Sequence, residues 1–149
     1  MYQTILVPVD GSKRAEAILS HVEKLGRIQE ARVVLLKVEE EFIFLERDEV
    51  IDVAKYRNDL EKRRQNSDAY LQSLRSRLRE KGIHAETRLA YGTVVKAILA
   101  AAAGIRADLI AIASHGISAS PRASYGSVAA GVLQGAGIPV LLIRSANDE

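Results

Sequence analysis

Two short segments combine glycine with hydroxyl and carboxylate side chains in spacings that could hold a ligand. The first is Asp10-Gly11-Ser12, directly after the apolar run TILVPV. The second begins at Ala113-Ser114-His115-Gly116 and reaches Gly126-Ser127 after the nine residues ISASPRASY. Gly116 lets the backbone turn close to a ligand with no Cβ in the way. The nine intervening residues contain three serines and one arginine, and little to bury. Ser127 then opens a helical pattern. The free N–H groups and partial positive charge of a helix start suit phosphate. A loop and a helix start so arranged form a cradle for a polyphosphate. Asp10 has two readings, as a ligand contact or as the cap of the turn into the following helix. Arg122 and the loop serines Ser118, Ser120 and Ser124 are read either as phosphate contacts or as loop solvation.

Other chemistries are disfavoured by what is missing. The chain has no cysteine, which removes disulfides, thiolate catalysis, Cys-ligated zinc and iron–sulfur clusters. His21 and His84 have no second ligand three or four residues further along the chain and read as surface residues. His115 follows Ser114, but neighbours in sequence are expected to point apart, and no orienting acid is evident. His115 therefore reads as a ligand-edge contact rather than a base. The P-loop GxxxxGK[ST], the SGGxDS pyrophosphatase loop and the HIGH and KMSKS motifs are all absent.

The 149 residues are expected to form one domain, 1–149. With 48% hydrophobic and 27% charged residues, the chain has enough apolar side chains for an ordinary core. The net charge is only +2, from 21 Lys and Arg against 19 Asp and Glu, and both signs are interleaved through residues 39–82. A nucleic-acid binder usually shows a single-sign stripe, and none is present. Five tyrosines, two phenylalanines and no tryptophan also make a poor base-stacking platform. No apolar run approaches the roughly 20 residues of a membrane span. The first residues lack the basic and apolar regions of a secretory signal. The expectation is a cytoplasmic protein that binds neither nucleic acid nor membrane.

Five runs read as strands: 4–9, 32–38, 84–90, 108–113 and 139–144. Four are nearly continuous apolar runs, the pattern of strands buried on both faces of a parallel sheet. The third alternates, with Ala85, Thr87 and Leu89 on one face, and belongs nearer an edge. After Ser12 as N-cap, Ala15, Ile18, Leu19, Val22 and Leu25 form one helical stripe, which Gly26 closes. Residues 93–103 form a second short helix ended by Gly104. A last helix, capped by Ser127, carries Val128, Val132 and Leu133 and ends at Gly135 and Gly137. Residues 39–81 contain no glycine or proline, and Leu60, Leu71, Leu74 and Leu78 predict a long amphipathic helix over 51–81. Residues 39–50 read as a loop or turn. Within it Phe42, Ile43, Phe44 and Leu45 are either a local cluster or a pocket-covering patch. Strands alternating with helices imply a parallel sheet with right-handed crossovers. Its ligand belongs at the carboxyl ends of the strands, beside the topological switch point.

The opening ILVPVDGS and the later ASHG-x9-GSVAAGVLQGAGIPVLLIR resemble the universal stress protein family, and the resemblance runs through the whole chain in order and spacing. The ATP-binding members of that family carry G-x2-G-x9-G-[S/T]. Gly116, Gly126 and Ser127 match its later positions, and Ala113 stands where the first glycine would be. If that position needs a positive φ, alanine costs roughly 1 kcal/mol or more; if it needs only clearance, a methyl group fits. Pro121 also falls in the loop and removes a donor.

The resemblance implies an open, doubly wound, parallel five-stranded α/β sheet of strand order 3-2-1-4-5, Rossmann-like in the manner of adenine nucleotide alpha hydrolases. Pro8, Val9 and Asp10 match the end of the first strand, where the family holds adenosine. Val38 matches an adenine contact. Gly116, Gly126, Ser127 and Val128 match phosphate and ribose contacts, beside Ala113 and His115. Ser127 would offer both a hydroxyl and a backbone N–H. The implied function is an ATP-binding regulatory module of the stress response, with Mg2+ accompanying the nucleotide and without strong catalysis. AMP or no ligand, and a slow ATP hydrolase or a ligand-free dimeric scaffold, are the alternatives. The implied partners are a second copy, paired through residues 139–144, and a regulatory protein. The apolar edge of that last strand invites such pairing on physical grounds as well.

Overall fold

The computed structural model describes residues 2–40, 53–115 and 126–144. In chain order the elements are β1 (Thr4–Pro8), α1 (Lys13–Glu16), α2 (Leu19–Gln29), β2 (Arg32–Glu39), α3 (Val53–Glu80), β3 (His84–Tyr91), α4 (Val94–Gly104), β4 (Leu109–Ala113), α5 (Ser127–Gly135) and β5 (Val140–Ile143). All strand pairs are parallel, and the sheet runs β3-β2-β1-β4-β5, as the resemblance implies. The order reverses between β1 and β4, so the carboxyl ends of these neighbours form the switch point. The fold is Rossmann-like and doubly wound, with helices on both faces.

The two-residue period of a strand sends alternate side chains to opposite faces. On one face Ile5, Val7, Val33 and Leu35 pack against Ile18, Leu19 and Val22 and against Leu71, Leu74 and Leu78 of α3. On the other, Leu6, Val34, Leu36, Ile110 and Ile112 pack against Ile98 and Ala102 of α4 and Val132 of α5. This double burial is why the central strands lack polar alternation. β3 and β5 are the edges. Leu141 and Ile143 of β5 lean on the first cluster, Val140 and Leu142 on the second. At the opposite end of the sheet the Asp108 carboxylate accepts the Gln3 and Thr4 N–H groups at 2.8 and 2.9 Å, joining the starts of β1 and β4.

One glycine reading changes, and two other glycines gain a packing role. Gly26 does not end the first helix. It lies inside α2, where an added Cβ would stand 3.0 Å from Ile83 Cγ2, so its use is close packing; the helix ends at Glu30, in the left-handed region. The expected single helix after β1 is instead two, α1 and α2, and Ser12 donates its hydroxyl to Asp10. Gly135 does terminate α5, but Gly131 and Gly135 also form its contact face with α4. A Cβ at either would come within 2.7 Å of Val95 or Leu99. Leu133, expected on the buried face, is exposed, because Ala129 and Val132 fill that face. Residues 42–45 and the expected start of α3 at 51–52 lie outside the described residues.

Helix α3 is fastened to the end of β2 by a polar latch. Ser67, buried on the same stripe as the α3 leucines, donates to Glu39, as does Lys37 Nζ; Lys37 also reaches Ser67 Oγ at 2.9 Å. Arg63 Nη2 closes the group with bonds of 3.1 Å to Glu39 Oε2 and to the Glu40 carbonyl. Burial works against the Glu39 charge, but the bonds from Lys37, Ser67 and Arg63 outweigh it and hold the carboxyl below the usual carboxylate range.

Two predictions follow from this packing. Gly131→Ala is expected to cost about 1–3 kcal/mol by overpacking, whereas Gly104→Ala, with nothing within 4 Å of the added Cβ, should be neutral or up to about 1 kcal/mol stabilising. Urea unfolding of the two variants checks the contrast. Because folding lowers the Glu39 pKa, its contribution is present above the unfolded value and is lost as pH falls through the native one. Glu39→Gln should therefore be about 1–2 kcal/mol less stable than the parent at pH 7. The gap should close as pH drops below about 4.3, as urea curves over a pH series will show.

Candidate functional site

A cleft of about 440 Å³ opens at the carboxyl edge of the sheet, across the ends of β2, β1 and β4. Pro8, Val9 and Asp10 line it from the end of β1, Leu36 and Val38 from β2, Ile112, Ala113 and His115 from the end of β4. Val94 and Ile98 of α4 form one wall, and Gly126, Ser127, Val128 and Ala129 close it at the start of α5. Every residue expected at the ligand site is therefore in one place except Gly116, which lies outside the described residues with Pro121, Arg122 and the loop serines.

Each wall has a local cause. Val9 N–H donates to the Leu36 carbonyl at 2.8 Å, carrying the β1–β2 ladder to the rim. The chain then turns at Gly11, whose φ of +89° favours glycine. Asp10 Oδ1 accepts the Ser12 N–H at 2.9 Å and the Ser12 hydroxyl at 2.6 Å. Asp10 thus has its capping role and still borders the cleft; the two readings are compatible. Tyr70 of α3 packs nearby, and burial, then the Glu16 and Asp10 carboxylates, push its phenol up.

On the β4 side, Ser114 joins three elements. Its N–H donates to the Ile143 carbonyl of β5 at 2.8 Å, and its carbonyl accepts the Gly126 N–H at 2.7 Å. The start of α5 is thereby held against the end of β4. Gly126, not Ser127, is the N-cap; Ser127 is the first helical residue. Among the described residues no side chain caps this end, and the first-turn N–H groups, which have no partner within a helix, face the cleft with the positive end of the helix dipole. Such an end suits an anion. Ala113 sits in regular strand pairing with Ile143, and its φ is not positive. The methyl group therefore brings no backbone strain; it only occupies space at the cleft wall.

The expectation that Ser114 and His115 point apart is overturned. Ser114 Oγ and His115 Nδ1 lie 2.9 Å apart. The strand ends at Ala113, so the strict alternation that separates neighbours no longer applies one residue later. Ser114 is 1% exposed, which keeps a substrate away from its hydroxyl, while His115 borders the cleft.

Sequence reasoning missed the outer wall. Glu39, Glu40 and Arg63 also line the cleft, Arg63 as the contribution of α3. Two signals pointed there: Lys37 is a charge inside an otherwise apolar strand, and Ser67 stands on the leucine stripe of α3. Among the described residues no group of three His, Asp or Glu side chains could hold a metal ion, and no helix is long and apolar enough to cross a membrane.

Known proteins share this architecture. Universal stress protein YxiE of Bacillus subtilis is 29% identical, over 97% of this chain and all of its own. Universal stress protein MJ0577 of Methanocaldococcus jannaschii is 26% identical over 99% of this chain and 98% of its own. The solved structure of MJ0577 superposes with a TM-score of 0.84, covering 99% of both chains. Two more distant structures share the fold: a universal stress protein in complex with cAMP, at a TM-score of 0.72 and 20% identity over 97% of this chain and 98% of its own, and one from Archaeoglobus fulgidus in complex with dAMP, at 0.66 and 22% over 95% and 98%. The sequence profile of the universal stress protein family matches residues 1–144, and the chain belongs to that family.

Proposed function

We propose that the cleft binds an adenine nucleotide, ATP with Mg2+ or else AMP, and that the protein is a regulatory module of the stress response rather than an efficient enzyme. The observation that carries this reading is the junction of two unlike surfaces in one cleft. Apolar side chains of β1, β2 and α4 fit a flat base and sugar, and the start of α5 offers N–H donors to phosphate. Asp10 stands between them, where a carboxylate suits ribose hydroxyls. Complexes of two relatives with cAMP and with dAMP support the same ligand class. With no metal-binding cluster among the described residues, Mg2+ would arrive on the phosphates. The buried Ser114 hydroxyl argues against acyl or phosphoryl transfer through a Ser–His pair.

Thermal unfolding tests the reading. A ligand at 100 times its Kd stabilises by about 2.7 kcal/mol, worth roughly 5–10 °C in a domain of this size. Mg–ATP or AMP should produce such a rise, and Gly126→Val, which fills the cleft at the α5 start, should abolish it. No rise with either nucleotide at millimolar concentration would favour the ligand-free scaffold.

A further inference from the structure

Helices α4 and α5 pack side by side, Val95 against Gly131 and Leu99 against Gly135. Helix α5 stops at that second contact, while α4 runs on from Leu99 to Gly104, more than one further turn. The chain leaves α5 extended at Ala136, and the residues facing the gap are too small to fill it. A depression of about 290 Å³ is left there, close to the size at which ligand pockets begin, roughly 300 Å³. It lies at the amino edge of the sheet and shares no lining residue with the nucleotide cleft. Leu99, Ile110 and Ile138 give it an apolar wall, alanines and glycines supply the rest, and Arg106 is the one charged residue in the lining.

An unusual turn brings Arg106 there. Helices α3 and α4 end in the same pair of backbone bonds. At α3 the Gly82 N–H donates to the Arg79 carbonyl at 2.9 Å and the Ile83 N–H to the Leu78 carbonyl at 3.0 Å. At α4 the Arg106 N–H donates to the Ala103 carbonyl at 3.2 Å and the Ala107 N–H to the Ala102 carbonyl at 2.9 Å. This ending needs one residue of positive φ, for which glycine is the usual choice. Gly82 has a φ of 80° and Arg106 one of 54°, so the arginine stands in glycine's place at a conformational cost. Glu30 has a similar φ but borders neither depression. Among the described residues no hydrogen bond or ion pair engages the Arg106 guanidinium. The nearest acid in sequence, Asp108, is taken by the Gln3 and Thr4 N–H groups. A free guanidinium is a planar fork of N–H donors, which a carboxylate meets with two parallel bonds. We propose that this depression is a second ligand site, for a small monocarboxylate with an apolar body such as a medium-chain fatty acid. Its chain lies on Leu99, Ile110 and Ile138, and its carboxylate pairs with Arg106. A phosphate monoester, with a charge of roughly −1.5 to −2 at pH 7, would bring more charge than this single cation matches.

Octanoate is the probe, and octanol is the same body without the charge. Amide NMR titration of the full chain reads both the place and the affinity. Octanoate should shift the amides of residues 102–107 and 135–138 and leave those of Val9, Asp10, Ser127 and Val128 in place. Octanol should shift the same set but bind roughly tenfold more weakly. Arg106→Gly should weaken octanoate about tenfold and octanol not at all; it should melt at or above the parent without ligand, because glycine suits the turn. Arg106→Lys keeps the charge without the fork and should retain part of the octanoate affinity. Ala103 is exposed on α4 and lines the depression. Ala103→Leu should therefore fill the site and abolish binding of both probes, its own melt confirming the fold. Absence of a saturable shift at millimolar octanoate, shifts confined to the nucleotide cleft, or equal octanoate affinity in the parent and Arg106→Gly overturns the proposal.

Discussion

Two main-chain hydrogen bonds of Ser114 hold the cleft together. One ties the end of β4 to the end of β5, and the other draws Gly126 against β4. Without the second, the start of α5 would not face the carboxyl edge of the sheet, and its first-turn N–H groups would point at water. Both bonds are made by backbone atoms of a residue almost wholly buried, in a setting where an unmade bond is costly. The packing behind them is equally tight. Gly131 and Gly135 let α5 lie directly on Val95 and Leu99 of α4, so two walls of the cleft, one from each helix, are set by one contact.

At the other end of the cleft the determining feature is the strand period. Val38 faces the cleft side of the sheet, and its neighbours Lys37 and Glu39 face α3. One strand end therefore supplies the apolar floor for a ligand and the polar latch that fastens α3. The latch in turn places Arg63 on the rim. The arrangement explains a lysine and a glutamate in an otherwise apolar strand and a buried serine on a leucine stripe.

Much of this was legible in the chain. Apolar runs separated by helical stripes gave the parallel sheet, because burial on both faces leaves no polar alternation. Asp10, Val38, Ala113, His115, Gly126 and Ser127 could be named because a switch point collects the residues after strand ends, and because the motif spacing resembles a known family. What escaped was what depends on tertiary contact. Gly26 reads as a helix stop, since nothing local shows Ile83 pressed against it. Ser114 and His115 read as divergent, since nothing local shows the strand ending one residue earlier. Arg63 lies 24 positions from Glu39, too far for periodicity to pair them. The significance of Ala113 also needed coordinates: with an ordinary strand φ it is a matter of space and not of strain.

The site joins an apolar recess to helix-start donors, and the Ser114 hydroxyl of its Ser–His pair is buried. That combination is what the proposed nucleotide binding rests on. The most direct measurement is mass spectrometry of the small molecules released when the purified protein is denatured. The account predicts a purine nucleotide, present in the parent and missing from Gly126→Val. A parent protein that releases no nucleotide even after incubation with millimolar Mg–ATP and AMP, or that releases only ligands with neither purine nor phosphate, would contradict it.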